Sequence, residues 1–189
     1  MARLTALLGS PRNGGNTDTL LEKALDAARA SGAQIDKIVL NDLNIRPCQE
    51  CGGCLEKGLC VIKDDMAVVY KALEEADNVL VASPIFFANV SAQTKTMIDR
   101  MQCFWVRKYL LHKKKNSKKR SGTFIACGGF KKKSFFNCAE KVIDAFFKVQ
   151  DIDYIEGFFA GGVDAIGDIL KQEKMLKRAY DLGKKLVEP

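Results

Sequence analysis

The feature that most constrains this 189-residue chain is a strict alternation of short apolar runs with helix-period segments. Arg3 to Leu8 is an apolar run ending at Gly9, the pattern of a strand buried on both faces. From Asn16, the residues Leu20, Leu21, Ala24, Leu25 and Ala28 recur on one helical face until Ser31-Gly32 stops them. Ile35 to Leu40 reads as a second strand. After a cysteine-rich stretch, Met66, Val69, Tyr70 and Leu73 form one face of a helix that Asp64 or Asp65 would cap. Val79 to Ala82 gives a third strand ending at Ser83-Pro84, and Ser91 caps a helix carrying Met97, Ile98 and Met101. Thr123 to Cys127 gives a fourth strand. Ser134 opens a helix with Phe135, Phe136, Ala139, Val142, Ile143, Phe146 and Phe147. Ile152 to Phe159 gives the fifth strand, and Asp168 to Val187 a last helix with Ile169, Leu176, Ala179 and Leu186 inward.

Five βα units in succession predict an α/β, doubly wound, five-stranded parallel sheet in three layers, because each crossover helix lands on a sheet face. In such a sheet a ligand sits at the carboxyl ends of the strands, near the switch in strand order. No internal repeat or linker divides the sequence, so residues 1–189 are expected to form a single domain. With 47% hydrophobic residues the chain can bury a core without disulfide staples. No apolar run reaches the roughly 18 residues a membrane helix needs. The apolar stretch in MARLTALLGSPR is too short for a secretory signal. The expectation is a cytoplasmic protein with reduced thiols and no membrane partner.

The net charge of +7 is local. Between Arg107 and Lys133 stand eleven Lys or Arg and no Asp or Glu, while the rest carries 19 basic against 23 acidic residues. No nucleic-acid reading module accompanies this segment, so no nucleic-acid partner is expected. It reads as a solvated loop, or as a docking surface for an acidic electron-transfer partner or the phosphates of a nicotinamide cofactor.

The turn after the first strand reads GSPRNGGNTDTL, which lacks the G-x-G-x-x-G spacing of a dinucleotide site. Ser10, Arg12, Asn16 and Thr17, with main-chain N–H groups at a helix start, suit a single phosphate. The plainer reading is a polar turn with an N-cap at Asn16 or Thr17. GSPR followed by GNT resembles the flavodoxin-like NAD(P)H-dependent FMN reductases, in which this loop holds the FMN phosphate. SPIFFANVSAQTKTMIDR, residues 83–100, resembles the second flavin loop of that family. The resemblance sets Pro84, Ile85, Phe86, Phe87 and Asn89 against the isoalloxazine ring and ribityl chain, and Gly128 and Gly129 in a third loop. Proline fixes such a turn, following amides can reach the ring's polar edge, and phenylalanine supplies an apolar wall.

The stretch CQECGGCLEKGLC, residues 48–60, holds four of the seven cysteines in a C-x2-C-x2-C-x5-C pattern. A cubane 4Fe–4S cluster needs four thiolates at its corners, and two successive C-x2-C steps curl a loop around such a body. Gly52, Gly53 and Gly58 free the backbone to do so. Zinc competes, though four-cysteine zinc sites favour two C-x2-C pairs with a longer gap, and four free thiols are a third reading. The pattern resembles the iron–sulfur flavoproteins, onto which Cys48, Cys51, Cys54 and Cys60 match, as does the IKDDM at 62–66. The likeness spans nearly the whole chain except the basic stretch at 113–120. It implies FMN and a 4Fe–4S cluster working in electron transfer. It further implies NAD(P)H or a small redox protein such as ferredoxin as partner, and a homodimer or homotetramer. A cluster-free NAD(P)H-dependent FMN or quinone reductase, and a non-enzymatic zinc-stapled binding module, are the rival readings. Cys103, Cys127 and Cys138 read as buried small hydrophobes and His112 as exposed, and no Ser/His/Asp or paired-carboxylate catalytic set is present.

Overall fold

Each strand's side chains alternate between two helix layers, and this alternation organises the computed structural model, which describes residues 1–113 and 118–188. The strands are β1 Arg3–Leu8, β2 Gln34–Val39, β3 Asn78–Phe86, β4 Asn89–Val90, β5 Ser121–Gly128 and β6 Asp153–Gly161. The helices are α1 Asn16–Ala30, α2 Met66–Glu75, α3 Ala92–Asp99, α4 Gln102–Trp105, α5 Asn137–Lys148 and α6 Glu173–Val187. Five strands run parallel in the order β2-β1-β3-β5-β6, and the two-residue β4 folds back antiparallel on β3. This is the predicted doubly wound sheet, with its switch point between β1 and β3.

Leu4, Ala6 and Leu8 of β1, with Leu80, Ala82 and Ile125, pack against α1 and α6. Leu7, Val79, Val81, Phe124 and Ala126 face the opposite layer of α2, the α3–α4 region and α5. Close helix contact needs Gly183 in α6, where an added Cβ would lie 2.0 Å from the Ala24 carbonyl oxygen of α1.

Three boundaries differ from the sequence expectation. β3 continues beyond Ala82 through Ser83 and Pro84 to Phe86, with Pro84 in register with Cys127. β1 has ended by then, its Leu8 pairing with Ala82, so proline stands where the β1 flank of the ladder is finished. Ser134 belongs to a single 3-10 turn, Lys133–Phe135, and α5 begins at Asn137. The last helix is broken at Gln172, after a short 3-10 turn at Asp168–Lys171.

Ser91 does cap α3, its Oγ accepting the Thr94 N–H at 3.2 Å. At α2 the Asp65 side chain makes no capping bond, and Asp64 accepts the Met66 N–H instead. Cys138 is exposed, a correction to its expected burial, whereas Cys103 and Cys127 are buried and His112 is exposed.

The basic segment is also more structured than a solvated loop. A π-turn, Val106–Leu110, extends α4, and Arg107, Lys108 and Lys118 pair with Glu74, Asp151 and Asp77. Buried Arg120 donates to the carbonyls of Leu73, Ala76 and Gln150. Residues 114–117 of that segment lie outside the described residues. Among the described residues no helix is long and apolar enough to cross a membrane.

Candidate functional site

A cavity of about 460 Å³ opens at the carboxyl ends of β1, β3 and β5. The turn after β1 brings Ser10, Arg12, Asn16 and Thr17 to it, β3 brings Pro84, Ile85 and Phe86, and the end of β5 brings Gly128 and Gly129. Phe87 and Asn89 do not line it. Phe87 stands fully exposed at the β3–β4 hairpin tip, and the Asn89 side chain accepts the Val90 N–H. Phe87 and Ala88 take φ of 48° and 62°, the left-handed pair that a two-residue hairpin requires. Pro11, Gly15, Phe130, Val163 and Asp164 also line it and were not foreseen, and so does Cys127, whose approach to the flavin was a secondary reading. Cys127 alone had a sequence signal, its place at a strand end beside Gly128.

The start of α1 leaves main-chain N–H groups open toward the cavity. Gly9 anchors the turn by donating to the Ala82 carbonyl at 2.7 Å, and an added Cβ there would lie 1.8 Å from the Thr94 hydroxyl. Ser10 Oγ accepts the Arg12 N–H at 3.1 Å, and Gly14, at φ 66°, donates to Asp18. The helix then starts from Gly15 with no side-chain cap, contrary to the plain N-cap reading. Among the described residues no acceptor meets the N–H groups of Asn16, Thr17 or Asp18. Free N–H groups at the positive end of a 15-residue helix are chemically suited to an anion.

Three of the expected side chains have other partners as well, the first being Arg12, whose Nη1 donates to the Asp164 carbonyl at 3.5 Å. Asn16 Nδ2 donates to the Ala165 carbonyl at 2.9 Å and its Oδ1 accepts the Ile169 N–H, which ties α1 to the turn after β6. Asn16 therefore offers the cavity its main-chain N–H. Thr17 Oγ1 lies 2.9 Å from Cys127 Sγ. Burial pushes the Cys127 thiol up to about 11, against the smaller pull of Thr17 in the other direction.

A second cavity, of about 260 Å³, is lined by Cys48, Cys51, Cys54 and Cys60 together with Arg100 and Cys103. The loop curls through left-handed Gly52 and Gly58, at φ 71° and 70°, and the Gly58 N–H closes on the Cys54 carbonyl at 2.7 Å. Among the described residues no three Cys, His, Asp or Glu side chains converge so as to hold a metal ion. Four cysteine side chains on the lining of one cavity are a donor set that suits thiolate ligation of a metal centre. Burial, and then the Cys60, Cys48 and Cys51 thiols, push the Cys54 thiol up.

Arg100 and Cys103 were not foreseen at this cavity. The signal for Arg100 was a charged residue three positions after inward Met97, with acidic residues at Asp64 and Asp65 to meet it.

Sheet order and a cavity at the strands' carboxyl ends define a flavodoxin-like domain. Residues 2–160 match the NADPH-dependent FMN reductase family. An iron–sulfur flavoprotein of Archaeoglobus fulgidus is 34% identical over 98% of this chain and 79% of its own length. One from Methanocaldococcus jannaschii is 31% identical over 98% and 96%. Among solved structures, an NAD(P)H:quinone oxidoreductase from Methanothermobacter marburgensis superposes with a TM-score of 0.74 at 16% identity, covering 98% of both chains. An FMN-dependent NADH-azoreductase from Bacillus anthracis, in complex with FMN, gives 0.71 at 13%, covering 100% of both, and these two likenesses concern the fold. The chain belongs to the iron–sulfur flavoproteins of the NADPH-dependent FMN reductase family, and is an FMN-dependent oxidoreductase.

Proposed function

We propose that this oxidoreductase is an electron-transfer flavoenzyme with FMN in the larger cavity and a 4Fe–4S cluster in the cysteine cavity. The observation that carries the reading is the gathering of all four motif cysteines around one cavity separate from the anion cradle. The N–H groups of Asn16, Thr17 and Asp18, with Ser10 and Arg12, would hold the phosphate. Pro84, Ile85 and Phe86, with Gly128, Gly129 and Phe130 from the neighbouring strand end, would frame the ring and keep water from it. Cys48, Cys51, Cys54 and Cys60 would hold the iron.

FMN accepts two electrons and releases them singly, and a cluster carries one at a time, so the pair converts between two-electron and one-electron partners. NAD(P)H supplies the first kind and a small redox protein such as ferredoxin the second. Phe86 and Phe130 are exposed at the flavin cavity and Phe87 at the β3–β4 hairpin tip, apolar surface that supports a homodimer or homotetramer. Seven free cysteines suit a reducing, cytoplasmic setting.

Anaerobic purification with a visible spectrum and iron and sulfide assays tests the proposal. Flavin bands over a broad iron–sulfur shoulder, with about four irons per chain, are expected. Flavin alone, bleached by NADPH, would reduce the protein to a cluster-free reductase, and a colourless protein with one zinc would end both redox readings.

A further inference from the structure

We infer that Arg100 is a positioning residue for the cysteine cavity, donating side-chain N–H hydrogen bonds to the sulfur of Cys60 and to a sulfur of the cluster, and so raising the cluster's reduction potential. This rests on the cluster reading above. The Arg100 side chain is 0% exposed and lines the cavity. Its Nη1 donates to Asp64 Oδ2 at 2.6 Å and to the Arg46 carbonyl at 2.8 Å. Its Nη2 donates to Asp64 Oδ1 at 3.1 Å and to Cys60 Sγ at 3.4 Å.

The fork thus closes the neck of the cysteine loop, because Arg46 precedes Cys48 by two residues and Asp64 follows Cys60 by four. A guanidinium has five N–H donors, and four are accounted for. The fifth, on Nε, is buried with no partner among the described residues. A buried donor without an acceptor is costly, and proteins rarely leave one. A sulfur of the bound cluster is the acceptor we assign to it, since cluster sulfurs are the acceptors that the bound group would bring into the space Arg100 lines.

The consequence is electrostatic. Reduction adds one electron, taken from reduced flavin, to the cluster and its thiolates. No bond forms or breaks, and the guanidinium keeps its protons. N–H donors at the sulfurs stabilise the more negative reduced state, so they raise the potential. A residue that only closed the loop neck would have no such effect once the cluster was in place.

The test is an EPR-monitored potentiometric titration of the holoprotein and of Arg100→Lys, which keeps the charge opposite Asp64 but cannot bond carboxylate, carbonyl and sulfur together. The cluster potential is expected to fall by at least a tenfold change in the one-electron equilibrium constant, about 59 mV. The FMN potentials should stay in place. An unchanged cluster potential overturns the inference. Should the variant hold no cluster, Arg107→Lys protein carrying arginine 15N-labelled in its guanidinium decides by pulsed EPR, Arg107 being removed because its Nε donates to the Gly58 carbonyl of the cysteine loop. Coupling of arginine 15N to the reduced cluster supports the assignment, and its absence overturns it. Parent protein lacking iron would overturn the cluster reading itself, a result distinct from iron present with an unmoved potential.

Discussion

The Thr17 hydroxyl and the Cys127 thiol meet at 2.9 Å in the wall of the larger cavity, joining the first turn of α1 to the end of β5. Burial holds this thiol protonated, with its pKa pushed up to about 11. At pH 8 only about one molecule in a thousand carries the reactive thiolate there. Cys138, on the open side of α5, is exposed. Brief iodoacetamide treatment of the native protein at pH 8, followed by peptide mapping, should label Cys138 and spare Cys127 until urea is added. Equal labelling of the two would mean that the cavity wall opens.

Asn16 reaches 149 residues along the chain to Ala165, and its other side-chain atom accepts the fully buried Ile169 N–H at 3.2 Å. Asn16→Ala removes both bonds and leaves a buried donor unpaired, at a cost of about 1–3 kcal/mol. A chain of this size loses about 2–4 °C in Tm for each kcal/mol. FMN binding should weaken as well, because the tether sets the start of α1. Asn16→Asp keeps the acceptor for Ile169 but puts negative charge beside the cradle. It should therefore lose more FMN affinity and less stability than Asn16→Ala, by calorimetry and flavin titration. A reversed order would show that Asn16 acts on the ligand through its side chain.

The sheet was legible because local pattern and burial agree: Leu4, Ala6 and Leu8 are apolar on one face and Leu7 on the other, and no polar partner was needed to place them. The anion cradle was legible in part, as a run of small and polar residues at a helix start. The use of the Asn16 side chain was not, because Ala165 and Ile169 come beside it only through the fold. Arg100 left only the hint of a charge three positions after inward Met97, and its pairing with Asp64, 36 residues away, comes about only through the fold. Cys138 was misread by residue type alone. The inward stripe of α5 is Ala139, Ile143, Phe146 and Phe147, and position 138 falls off it.

Acid should act on the Asp64 pair. Burial pushes the Asp64 carboxyl up, but hydrogen bonds from Arg100 and from the Arg46 and Met66 N–H groups outweigh it, and the net shift is downward. A carboxyl held lower in the folded than in the unfolded chain stabilises the fold above its unfolded value, and that support fades as pH falls through its folded value. Asp64→Asn leaves the Arg100 charge buried without its partner, at about 3–5 kcal/mol near pH 7. Urea melts should show this deficit at pH 7 and a closing gap to the parent below about pH 4. A deficit of the same size at both pH values would mean that Asp64 acts by packing rather than by charge.

Cys54 offers the cleanest separation of the two cavities, since among the described residues none lines both. The cysteine loop keeps its neck in Cys54→Ala, because the Arg100–Asp64 grip does not involve that thiol. Loss of one of four thiolates should take iron from about four per chain to near none. FMN should remain at its parental stoichiometry, because the cradle at Asn16, Thr17 and Asp18 is untouched. NADPH should still bleach the flavin, while reduction of a one-electron acceptor such as ferredoxin slows, because the relay to it is gone. Iron and flavin assays on the same preparation read both quantities. If flavin leaves together with iron, the cysteine loop is part of the flavin pocket, and the division into two independent sites is wrong.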